Sequence, residues 1–209
     1  RAQHVHMYEA HRAALRTGDL VLYDGVGVLP ALVRVQRGAG AGALARFTGA
    51  ALVLRLPNKW TGELQWFLLE VLGDAGGFLD AFTERPAGGG VALFRLFERL
   101  HHVHAREVAL AHRREPPSAQ QELELANQVF AAHQDSAAFL AQLPPPSRST
   151  YARPLERLRR RDAPRNADLD LLAPRALALL MQRAGLMPAE RAPAAEHDVA
   201  APPQPPRRD

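Results

Sequence analysis

The chain has 209 residues, 47% of them hydrophobic, with 26 basic and 22 acidic side chains for a formal net charge of +4. That length suits one domain with tails, and so mild a charge is not that of a chain built around nucleic-acid phosphates. The absence of cysteine excludes disulfides, thiolate metal sites and a cysteine nucleophile, and no apolar run reaches the roughly 20 residues of a membrane span.

No secretory leader pattern opens the chain, which starts on Arg1 and leaves a processed N-terminus open. Lys59 is the single lysine, so the basic residues are otherwise arginines, the better residue for fixed ion pairs and interfaces. The 17 prolines concentrate after position 140, which points to a compact body followed by a looser C-terminal part.

In chain order, "HVHMYEAHRAAL" (4–15) has helical spacing and predicts a leading helix within residues 1–16. "TGDLVLYDG" (17–25) is a Gly-Asp turn, a β run at Leu20–Tyr23 and an Asp-Gly turn. "VLPALVRVQRG" (28–38) reads as a helix opened near Pro30 and stopped by Gly38. "ALVLRL" (51–56) and "LQWFLLEV" (64–71), joined by the turn signal "PNKWTGE", predict a hairpin. A Gly-rich excursion over 74–90 leads to a further strand, "VALFRLF" (91–97). Beyond it the pattern turns helical. "AQQELELANQVFAAHQ" (119–134) is amphipathic, and "DSAAFLAQL" is a short helix. Residues 143–166 form a Pro/Arg-rich connector, "LDLLAPRALALLMQRAGLMP" (169–188) is an apolar helix closed by Gly185 and Pro188, and 189–209 is a Pro/Ala tail. The predicted class is α+β, a small antiparallel β-sheet packed with helices.

The order of parts resembles the circularly permuted papain-like amidohydrolases, relatives of the NlpC peptidases and of lecithin:retinol acyltransferase, over roughly residues 15–187, which sets the expected domain at 17–188. Members open with a phrase like L-x-T/P-G-D-L-V-L-F, matched by Leu15, Thr17, Gly18, Asp19, Leu20, Val21, Leu22 and Tyr23. A strand beginning S-H-V-G-L-V-L is matched by Thr48 to Leu54, and the next strand ends in a polar residue, here Glu70. The resemblance implies a cysteine at the front of the last helix, a histidine at the start of the hairpin and a third group that orients the imidazole. Carried over, these fall at Ala173, Gly49 and Glu70, so the nucleophile and the base are both replaced. Ser147, Ser149 and Thr150 lie in a linker with no histidine nearby, and Thr48 has no visible base. The expectation is therefore a pseudoenzyme acting as a structural or protein-interaction subunit of a larger assembly, needing no cofactor. A buried carboxylate deprived of its imidazole needs a new partner, and Arg175 is expected to supply one to Glu70. The alternatives are a hydrolase or acyltransferase with a non-cysteine nucleophile, and an RNA-associated subunit.

"HHVH" (101–104) would place His102 and His104 on one face of a strand, but no cysteine accompanies them and Glu98 and Glu107 are the only carboxylates at hand, so exposed histidines are favoured over a metal site. Arg159, Arg160 and Arg161 form a basic run without interleaved aromatics, read as a protein-contacting patch ahead of a nucleic-acid site. Trp66 is expected in the core, and Trp60, beside the hairpin turn, against a partner. No small-molecule substrate is indicated. The expected compartment is intracellular, cytoplasmic or organellar, mitochondria included.

Overall fold

The computed structural model describes residues 11–25, 47–58, 60–73, 77–103, 105–143 and 167–187. The strands are β1 (Leu20–Gly25), β2 (Gly49–Pro57), β3 (Leu64–Leu72), β4 (Gly90–Arg95) and β5 (Ala105–Ala111). The helices are α1 (Leu96–His102), α2 (Ala119–Gln134), α3 (Ser136–Ala141) and α4 (Ala167–Arg183). All strands join one antiparallel sheet in the order β4-β3-β2-β1-β5, so the protein is of the α+β class expected.

The hairpin forms where the sequence demands it. Asn58 Oδ1 accepts from the N–H groups of Trp60 and Thr61, and Gly62 takes a positive φ of 72° that closes the turn. β2 and β3 read as nearly unbroken apolar runs because both faces of the sheet are covered. On one face Leu52, Leu54, Leu69 and Leu93 meet Leu125 and Val129 of α2 and Leu177 and Leu180 of α4. On the other, Val21, Tyr23, Ala51, Val53 and Leu68 meet Leu96 and Leu100 of α1 and Val108 of β5. A strand covered on both sides gains nothing from polar alternation.

Local sequence fixes the ends of the covering helices. Ser118 and Gln121 form a capping box at the start of α2. Gly185 ends α4 at a φ of 67°, and the Leu186 N–H reaches back to the Met181 carbonyl. The Gln121 side chain then donates to the Gly185 carbonyl at 2.7 Å, tying the two ends together.

Several expectations are corrected. The run "VALFRLF" is not all strand: pairing stops at Arg95, and Leu96 begins α1, whose Leu96 and Leu100 are four apart and both buried. His101 and His102 therefore close a helix rather than share a strand with His104, which is outside the described residues. Residues 105–111, not assigned to any element from sequence, form the edge strand β5. Of the leading helix only its end is described, and Arg12–Ala14 form a 3-10 turn. The helix expected at 28–38, Arg159 to Arg161 and the tail from 189 to 209 lie outside the described residues.

Candidate functional site

The three positions carried over from the family resemblance do not converge on one face. Gly49 opens β2, and a Cβ added there would meet the Tyr23 ring at 3.4 Å, on the α1 side of the sheet. Glu70 lies between Leu69 and Val71, which both face α4, so strand alternation turns its side chain toward α1 as well. Ala173 is buried in the opposite layer, among the residues that pack α4 against β2 and β3. It also stands nearly two turns inside α4, which begins at Ala167, and so is not among the free N–H groups of the helix start. Pro174 follows it within the helix and is exposed.

Glu70 has a partner, but not Arg175. Arg99 of α1 engages it as a fork, Nε to Oε1 and Nη2 to Oε2, each at 2.8 Å. The guanidinium is held between the rings of Phe78 and Phe94, 4.8 and 4.9 Å from its carbon. The Tyr23 hydroxyl donates to Glu70 Oε1 at 3.3 Å. Burial, and then the negative charge of Glu70, push the Tyr23 hydroxyl well above its ordinary pKa, keeping it neutral and a donor. Although burial alone would lower Arg99, its bonds to Glu70 outweigh that and raise it. Arg175 stands exposed on α4, against the other face of the sheet.

Two more buried carboxylates, which sequence reasoning did not single out as sites, are likewise bonded within the protein. Asp19 is wholly buried and accepts from the N–H groups of Arg16 and Arg113, with His112 Nδ1 at 2.9 Å. The Gly18 N–H donates to the Val53 carbonyl, and the Asp19 carbonyl accepts from Val53. The Thr-Gly-Asp phrase thus has a structural duty: it anchors the start of β1 to β2 and to the end of β5. Asp80 accepts from the N–H groups of Phe82, Thr83 and Leu93, with His133 Nε2 of α2 at 2.8 Å. Burial by itself raises the Asp80 carboxyl, but the bonds from His133, Leu93 and Thr83 prevail and hold it at about 2. The signal for Asp80 was present in "DAFT", an Asp whose side chain caps the turn that follows it. Nothing local announced Arg99.

His101 and His102 pack edge to face, and His102 also meets Phe78. Among the described residues no three His, Asp or Glu side chains come together to hold a metal ion, and no helix is long and apolar enough to cross a membrane. Trp66 is half-buried against the α1-side core, while Trp60 is 70% exposed with its indole N–H on Glu84. The chain matches no family model and no curated protein sequence.

Proposed function

We propose that this chain is a catalytically inactive domain that serves as a structural or protein-interaction subunit of a larger assembly, and that its likeness to the permuted papain-like hydrolases stops at the order of its elements. One observation carries the reading: Glu70, the one polar group among the three carried-over positions, is locked by Arg99 and Tyr23 in a layer separated by the sheet from Ala173. A general base or an orienting group needs a free lone pair within hydrogen-bond reach of what it activates. Glu70 is instead spent on a fork, and Asp19 and Asp80 on turns and strand ends. The order of β1, the β2–β3 hairpin, β4 and a last helix is shared with that family, but the last helix packs on the face of β2 and β3 opposite to Gly49 and Glu70. Broad serine- and threonine-directed acylating probes test the inactive reading. The full chain, incubated with them and digested for mass spectrometry, is expected to carry no saturable label. Stoichiometric labelling of one Ser or Thr, abolished by prior unfolding, would restore the hydrolase reading.

A further inference from the structure

A second surface differs in kind from the saturated interior. Between the end of the 3-10 turn, the outer end of the β2–β3 hairpin and the start of α1 lies a groove of about 720 Å³. Its apolar part is made by Leu64, Trp66 and Phe97; Leu64 is 57% and Phe97 45% exposed, so large apolar side chains face open space. Arg12, Arg55 and Arg95 stand around them, with Glu98 the one carboxylate among the lining residues. Arg95 is engaged by Glu98 at 3.0 Å, and Arg55 lies over the Trp66 ring at 5.5 Å. Neither Arg12 nor Arg55 has a carboxylate partner among the described residues.

We infer that this groove docks an acidic, linear protein segment that places a bulky apolar side chain on Leu64 and Phe97, beside the Arg55-covered Trp66, and carboxylates on Arg12 and Arg55. The inference rests on the interaction-subunit reading and names its surface and its partner's chemistry. Charge decides the sign of the partner: three guanidinium groups against one carboxylate favour an anion, and a guanidinium binds a carboxylate through two parallel bonds. Shape decides its class. A single-stranded nucleic acid wants a basic track along several phosphates and open aromatic faces. Here the Trp66 face is already covered by Arg55, and the concavity suits one or two side chains. Exposed aromatic and arginine residues around a concave apolar centre are what protein interfaces concentrate.

The full chain can be titrated with a fluorescent peptide of alternating Glu and Leu around a central Trp, with a Gln-for-Glu peptide, poly(U) RNA and phosphatidylserine vesicles as competitors. Saturable binding of the acidic peptide is expected, weakened by salt and roughly tenfold or more by Arg12→Glu combined with Arg55→Glu. Arg114→Glu, outside the groove, should leave it unchanged. Both variants must keep the wild-type circular dichroism and melting transition. If one misfolds, Arg12→Gln with Arg55→Gln takes its place. No binding, equal binding of the Gln peptide, or stronger competition by RNA or vesicles overturns the inference. The failure of the parent reading looks different: there the acylating probes label the chain whatever the state of Arg12 and Arg55.

Discussion

The two faces of the sheet solve opposite problems. Under α2 and α4 the layer is built from leucine, valine and alanine, with Leu52, Leu54, Leu69, Leu93 and Leu180 almost fully enclosed. Under α1 a comparable apolar layer surrounds one fork of Glu70 and Arg99 and a neutral Tyr23. The first face holds by area removed from water and tolerates any well-packed hydrophobe of the right size. The second holds a charge that cannot be left alone. A carboxylate on a buried strand is thus tolerated only with its full set of partners.

The largest effect that would break this contrast is at Arg99. Arg99→Ala strands the Glu70 carboxylate and opens space between Phe78 and Phe94, and is expected to cost about 3–5 kcal/mol in urea unfolding. The same cost in a Glu70→Gln background would deny that the stranded charge is the cause. A more subtle comparison joins Glu70→Leu with Arg99→Met. A buried pair exchanged for hydrophobes of similar volume is often neutral, so this double variant should recover most of what Arg99→Ala loses. A double variant as unstable as the single one would mean that the fork itself, not its completeness, holds α1 to β3.

A smaller effect separates the faces by pH. Asp80 bonds the backbone of β4 and His133 of α2, so it secures the edge of the α2 face, and its carboxyl lies at about 2 instead of 3.8. A folded-state value below the unfolded one contributes stability above the unfolded value and loses it as pH falls through the folded one. The contribution is on the order of 2 kcal/mol at neutral pH, lost between roughly pH 5 and pH 2. Asp80→Asn should flatten that limb of the stability profile. An unchanged acid slope would place the titrating group elsewhere.

Legibility of the sequence followed the strength of local signals. β2 and β3 were readable because long apolar runs flank a turn whose Asn58 and Gly62 do the closing. α2 was readable from its periodicity and its Ser118–Gln121 box, and the end of α4 from Gly185. β5 was missed because "AREVALA" carries three alanines and an Arg-Glu pair, which do not favour a strand, and has no turn residues and only one fully buried position, Val108. The switch from β4 to α1 was missed because Leu96 continues the apolar run while the backbone changes period. The candidate site was legible as residues and illegible as geometry. Alternation placed Glu70 opposite Leu69 and Val71, but only the packing of α4 shows which of those faces Ala173 shares. Hence Arg175 was named where Arg99 belongs: long-range partners of a buried charge follow from tertiary packing, and nothing within a few residues encodes them.

The most direct test puts an imidazole and a thiol at the two carried-over positions. In a protein carrying Gly49→His and Ala173→Cys, alkylation by iodoacetamide is followed against pH, with Ala173→Cys alone as reference. With the two positions on opposite sides of the sheet, the new thiol should stay as unreactive at neutral pH with the imidazole as without it. Rapid alkylation at neutral pH that depends on Gly49→His would put base and nucleophile side by side, and would contradict the account.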